Sequence, residues 1–491
     1  MSNENNFAKL GIIYAIGQIL AKAISFILLP IYIKQLGIIG FGQLALVDGV
    51  FDFIASFTII GVYSGYIRFY REYNQVQQVS LKNTALSFAL IMSLINITLA
   101  LILGKFVSSF VFDFPNSYYI LILVVGRSII SQLVILLMCD YGLNYKAKIS
   151  VGLNLANLLL NLFLTLFLVI FIKRGIIGIY EGYVLSNLIM LIYLVFVNHL
   201  EYKFEMDIKM LKNMIKFSAG LIPSSIASTV LTLSDRYFLK SYRNLTETGI
   251  YSLGYKFGML IEPIFISPFM QIFTTYKFSI WKDDDAKEKF NNMFLKYHLI
   301  GCFIMLGICI YSKSMIFLFS GSESLDAYKV VPLIVISYFL YGTSAFYCLG
   351  FQLKNKTYFN GLVMLPAGII NLILNVILIP KFGMYGAALA TAISYIAMNL
   401  IYIKFSLHLY HVKYRKKKIV IIYLITFTLL SIYYVISIFN IGIFLEIIIG
   451  IFLLSSYIIC SVLTNLITKG ELKKYIFVIL KELKLKNRNN H

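Results

Sequence analysis

The stretch GIIGIYEGYVLS, residues 175–186, sits in a chain so apolar that it passes for ordinary membrane filler, yet Gly175, Gly178, Gly182 and Ser186 recur through it at steps of three, four and four. That spacing places them along one face of a helix, where missing side chains let a neighbouring backbone come close. The frame returns as GMYGAALATAIS, residues 383–394. An offset of 208 carries Gly142, Lys146, Lys148, Lys173, Gly175, Gly178 and Ser186 onto Gly350, Lys354, Lys356, Lys381, Gly383, Gly386 and Ser394, with Gly182 meeting Ala390. An offset of 207 carries Gly42 and Leu46 onto Gly249 and Leu253. One matched glycine is chance; a register held over several segments is an internal duplication.

The surroundings of the frame set the class. With 59% hydrophobic and 13% charged residues and a mean hydropathy of +0.83, the chain cannot give its helices polar outer faces, so it is a polytopic, all-α membrane protein. Apolar runs of bilayer-spanning length cover 9–33, 41–66, 84–104, 118–138, 149–172, 175–198, 214–240, 249–270, 293–319, 327–352, 358–380, 383–404, 418–438 and 441–464, which makes 14. The repeat offset spans six of them. An even number preserves orientation, so helices one to six (1–206) and seven to twelve (207–410) form two pseudo-symmetric lobes related by an axis along the membrane normal. Residues 411–491 add two helices and a basic tail, ELKKYIFVILKELKLK (471–486), patterned to lie on a membrane surface.

Charge sets the orientation. With the amino terminus in the cytoplasm, 29 of the 43 Lys and Arg fall in loops and tail on that side. Eight fall opposite: Lys34, Lys105, Lys173, Arg174, Lys240, Arg243, Lys313 and Lys381. Both termini are therefore expected inside. Much of the +21 net charge is this orientation signal with some attraction to anionic lipid, and no nucleic-acid motif accompanies it. The first apolar run is full length without a small-residue cleavage pattern and is read as the first span. Cys139, Cys302, Cys309, Cys348 and Cys460 show no metal or disulfide spacing. A membrane enzyme would need a sizeable external loop or a catalytic cluster, and neither is visible.

Three stretches carry a resemblance: ILLPIYIKQLGIIGFGQLALVDGV (27–50), SDRYFLKSYRNLTETGIYSLGYKFG (234–258) and NLILNVILIPKFGMYGAALATAISY (371–395). They resemble the polysaccharide-biosynthesis flippases of the MOP superfamily, the Wzx-type O-antigen and capsule exporters. The resemblance implies a two-lobed, MATE-like transporter of the bacterial cytoplasmic membrane. Its cavity would open to each side in turn and move an undecaprenyl-pyrophosphate-linked oligosaccharide to the outer leaflet, beside other polysaccharide-assembly proteins. A flippase for lipid II or teichoic-type precursors is a variant of this reading. A MATE-type multidrug exporter shares the architecture, but Lys22 stands in the first span, where that branch carries an acid.

Ionisable residues within spans are costly, about 2.5 kcal/mol or more each, and mark pathways or pairs. They are Lys22, Asp48, Asp52, Arg127, Glu181, Lys256, Glu262 and His298. A lipid pyrophosphate suits basic side chains. The three intramembrane cations Lys22, Lys256 and Arg127 are therefore the substrate-binding candidates; in the resembling lipid II flippases cations of the first, second and eighth helices line the cavity, and Lys22 and Lys256 match these by helix. Their bland alternative is structural ion pairing, since the repeat sets Lys256 opposite Gly49, beside Asp48. Asp48, Asp52 and Glu181 are candidates for coupling to H+ or Na+, no other cofactor being implied. His298 reads as interfacial, and Asp235–Arg236 as gate or interface structure. Most of the 36 tyrosines suit an interfacial belt; in YSGYIRFYREY (63–73) they would equally suit a sugar-stacking wall.

Overall fold

The computed structural model describes residues 2–60, 62–112, 114–198, 202–219, 222–354, 356, 358–439, 442–467 and 470, with side chains for the same residues apart from 2–16, 18–23, 25 and 56–60. The amphipathic tail reading (471–486) lies outside them. Every regular element described is helical. α1 (Ser2–Ile60) is two helices joined at Gly37, whose φ of 67° and ψ of 175° break the helix where only glycine is unstrained. The elements that follow are α2 (Tyr63–Tyr70), α3 (Gln75–Val111), α4 (Ser117–Leu143), α5 (Ala147–Leu166), α6 (Gly175–Asn198), α7 (Ile208–Ala219), α8 (Ile222–Tyr242), α9 (Leu245–Gly258), α10 (Ser267–Ile280), α11 (Ala286–Ser320), α12 (Val331–Tyr347), α13 (Leu349–Leu353), α14 (Phe359–Phe382), α15 (Met384–Phe405), α16 (Lys416–Ser437) and α17 (Ile443–Leu463).

Among the described residues twelve helical segments are long and apolar enough to cross a membrane, and the bent pair α7–α8 makes thirteen. That is one or two fewer than the 14 runs expected; α1 breaks at Gly37, between the first two of those runs. Several helices outrun their apolar runs. α3 starts nine residues before the run at 84, because Asn74 and Gln77 form a reciprocal capping box that closes its first turn.

The chain packs as two compact units. The first holds residues 1–254, 319–327 and 356–401; the second holds 255–318, 328–355 and 402–491. In the first, α4 packs on α3 and α6, α5 on α6, and α8 on α14, with α1 against α4, α5 and α8. Its glycine frame meets α5: a methyl at Gly182 would stand 2.4 Å from Thr165 Oγ1 and 2.9 Å from its Cα, while Asn161 donates to buried Ser186 at 3.3 Å. The repeat is legible in the backbone. Gly175 and Gly383 both take positive φ, 57° and 54°. The equivalent glycines Gly42 and Gly249 meet directly: a Cβ on Gly42 would fall 3.0 Å from the Gly249 nitrogen, and one on Gly249 2.1 Å from the Ile38 carbonyl oxygen.

In the second unit an aromatic cluster of Phe273, Phe294, Tyr297, Phe339 and Phe346 fills the space among α10, α11 and α12. His298, expected at the membrane interface, is instead 1% exposed within this cluster. Its Nδ1 lies 2.8 Å from the Phe294 carbonyl oxygen. The rings of Phe294, Tyr297 and Phe339 around it shield it from water.

Candidate functional site

The main charged site in the first unit is built on three helices that pack together: the second arm of α1, α4 and α6. Asp48 and Phe51, three residues apart, share one face of α1; Tyr180 and Tyr183 do the same on α6. Arg127 of α4 projects between them. Its guanidinium lies 3.8 Å from the Phe51 ring centre and 3.7 Å from that of Tyr183, and its Nη1 is 3.4 Å from Asp48 Oδ1. The Tyr180 hydroxyl donates to the same Asp48 oxygen at 2.9 Å. A planar cation between aromatic faces keeps its charge without water, which lysine does less well. The two charges are not equally withdrawn. The Arg127 side chain is 14% exposed and that of Asp48 39%, so the carboxylate is the more accessible partner.

Asp52 lies beside this cluster, and the other candidates fall elsewhere. Asp52, one turn beyond Asp48, is exposed. Glu181 follows Tyr180 immediately and points away from the Asp48 cluster: it accepts from Arg174 at 2.6 Å and from the Tyr119 hydroxyl at 3.1 Å. Lys256 is half-buried near the end of α9. Lys22 lies outside the described side chains. Asp235 is buried, accepting from the Tyr251 hydroxyl and from the Arg236 backbone N–H at 2.9 Å, while Arg236 Nη1 donates to the Thr232 carbonyl oxygen at 2.7 Å.

Sequence reasoning misses four charged side chains. Lys82 of α3 is 5% exposed and forms a salt bridge with Asp140 of α4, which also accepts from Tyr66. The Tyr202 ring lies 4.5 Å from the Lys82 ammonium. Hydropathy puts both charges in loops, because the apolar runs stop at 84 and 138. Lys277, likewise outside any apolar run, is 4% exposed and donates to Gln352. Glu446 accepts from Ser314 and Tyr433 at 3% exposure; as the lone carboxylate of the run 441–464 it carries its own signal.

Comparison with known proteins fits this architecture. A solved structure of the lipid II flippase MurJ, in an inward closed conformation, matches with a TM-score of 0.74 and 17% identity over 92% of this chain and 98% of that one. An inward-facing MATE-family multidrug transporter of the MOP superfamily matches with a TM-score of 0.61 and 13% identity over 78% and 93%. The MATE multidrug transporter DinF-BH matches with a TM-score of 0.60 and 15% identity over 83% and 96%. At these identities the likeness establishes the fold. No curated protein sequence matches significantly. The family model for polysaccharide biosynthesis proteins matches residues 7–274, more than half of the chain. This multi-pass membrane chain therefore belongs to the polysaccharide biosynthesis protein family.

Proposed function

We propose that the protein flips an undecaprenyl-pyrophosphate-linked oligosaccharide, an O-antigen or capsule repeat unit, from the cytoplasmic to the outer leaflet of a bacterial cytoplasmic membrane, by alternating access and with both termini in the cytoplasm. The observation that carries this reading is family membership in a chain that has the fold of a lipid flippase over 92% of its length. Lys22, Lys256 and Arg127 are assigned to the pyrophosphate. Arg127 comes with its charge already answered by Asp48, so an anionic head group competes with that carboxylate for it. This exchange gives Asp48 its role: H+ or Na+ on the carboxylate releases the guanidinium to the substrate and couples ion to cargo. Asp52 supports the same negative patch. Glu181, tied to Arg174, fits a fixed structural pair better than an ion carrier.

A MATE-type drug exporter is the second reading, supported by the shared fold. Deletion of the gene separates the two. The flippase reading expects lipid-linked repeat units to accumulate in the cytoplasmic leaflet with drug sensitivity unchanged; drug sensitivity without accumulation overturns it. In the complemented strain, Arg127→Ala should abolish export at normal protein abundance and Arg127→Lys should restore part of it. Full export by Arg127→Ala would remove that residue from the substrate path.

A further inference from the structure

We infer that the cavity among α2, α4, α5 and α6 is a subsite for an uncharged, hydroxyl-rich group, the sugar portion of the cargo rather than its phosphates; this rests on the flippase reading above. The cavity measures about 500 Å³, within the about 300–1,000 Å³ typical of small-molecule sites. Its polar wall is Tyr63 of α2, Ser131 of α4, Ser150, Asn154 and Asn157 of α5, and Asn187 of α6. Among the described residues no lysine, arginine, histidine or carboxylate lines it, so nothing there repays the desolvation of a pyrophosphate. A neutral ligand with many hydroxyls meets no such penalty.

The amides point to the same class. Asn187, 8% exposed, spends its Nδ2 on the Tyr183 carbonyl oxygen at 2.8 Å and accepts from Asn157 Nδ2 at 3.3 Å. Asn154 Nδ2 is spent on the Ser150 carbonyl oxygen at 2.8 Å. With these donors turned inward, Asn157 Oδ1 is left buried with no hydrogen-bond partner among the described residues. An amide oxygen so placed in a membrane-spanning bundle calls for an external donor, and a sugar hydroxyl is one. The Tyr63 ring gives the apolar face of a pyranose a surface to lie on. The neighbouring cavity of about 650 Å³, lined by Lys82, Asp140, Gln78 and Asn83, makes the contrast. There Lys82 and Asp140 pair, Gln78 donates to the Tyr70 and Tyr73 carbonyl oxygens, and Asn83 accepts from the Lys203 N–H.

Cys139, on the wall of the proposed subsite and half-buried, reports occupancy. The full chain carrying Cys460→Ser, with Cys302, Cys309 and Cys348 buried, is placed in lipid nanodiscs and labelled with a maleimide. The probe is the glycan freed by mild acid from the lipid-linked pool of source cells that lack the gene. The glycan should slow Cys139 labelling severalfold, inorganic pyrophosphate and undecaprenyl pyrophosphate should not, and Asn157→Leu should lose the protection. Equal rates with and without glycan, or protection by pyrophosphate alone, overturn the proposal. Should Asn157→Leu fail to fold, the Cys460→Ser chain with Asn157 in place alone decides between these outcomes. Accumulation of the lipid-linked pool without protection defeats only the subsite; a deletion strain that accumulates none defeats the flippase reading and this proposal with it.

Discussion

Residues 175–186 and 383–394 meet the same backbone demand and differ in their chemistry. Each opens on a glycine of positive φ, Gly175 and Gly383. Each then turns a glycine onto the preceding segment: a Cβ on Gly178 would approach the Leu168 carbonyl carbon at 3.2 Å, and one on Gly386 the Leu378 carbonyl oxygen at 2.4 Å. The charges are not repeated. Glu181 pairs with Arg174 in the first copy, and Leu389 stands at its equivalent position. In the second copy the opening turn is held by Glu247, which accepts from the Met384 N–H at 2.7 Å. Close approach is a property of the chain path and has to be met in both copies. A charge serves one location and its local partners.

The largest expected effect comes from a pair present in the first copy alone. Asp140 falls opposite Cys348 in the register that matches Gly142 to Gly350. Lys82→Ala leaves the Asp140 carboxylate without its cation and should destabilise the purified protein by about 3 kcal/mol, with Lys82→Met/Asp140→Leu recovering most of the loss in thermal unfolding. A double variant as unstable as the single would mean that packing, not charge, is what matters there.

The glycine frame itself gives an unequal pair. A methyl at Gly386 meets backbone, the Leu378 carbonyl, at 2.4 and 2.6 Å, whereas one at Gly178 meets nothing closer than 3.1 Å. Gly386→Ala should therefore cost about 2 kcal/mol and Gly178→Ala well under half of that. Equal melting temperatures for the two variants would show that the second copy relaxes as easily as the first.

At the opening positions, Gly383 sits at φ 54°, ψ −133°, a region closed to side-chain-bearing residues, so Gly383→Ala should cost about 1–2 kcal/mol. Gly175, with no atom nearer than 3.9 Å to a built Cβ, should tolerate asparagine, which accepts positive φ. A Gly175→Asn variant that melts no higher than Gly383→Ala would contradict this. The smallest effect is at Glu181. Its partner Arg174 is 44% exposed, so Glu181→Gln should lower stability by less than about 1 kcal/mol and leave export unchanged; a loss of export would return Glu181 to the coupling path.

The sequence discloses the long-range plan because that plan is written in local composition. The apolar run of span six covers 175–198 and the helix runs Gly175–Asn198; the break that separates spans one and two is Gly37. The candidate site is half legible. Intramembrane charges announce themselves by their rarity, and Asp48, Arg127 and Glu181 are found that way. Their partners are not, since Asp48 and Arg127 lie 79 residues apart and helical periodicity gives a residue's face without naming what packs on it. Lys82 and Asp140 are invisible for a different reason. They belong to helical turns beyond the apolar runs, and hydropathy cannot tell a buried polar turn from a loop.

The residues alone determined that the chain is helical, crosses a membrane many times and repeats its halves, because burial in lipid demands apolar runs of fixed length and duplication leaves a fixed offset. Tertiary structure decided which polar groups answer each other. Tyr180 turns inward to Asp48 while its neighbour Glu181 turns to Arg174, and His298 enters an aromatic core. Asn157 is left with an acceptor and no donor among the described residues. Each of these depends on the rotation and crossing of helices, which are set by packing against partners distant in sequence.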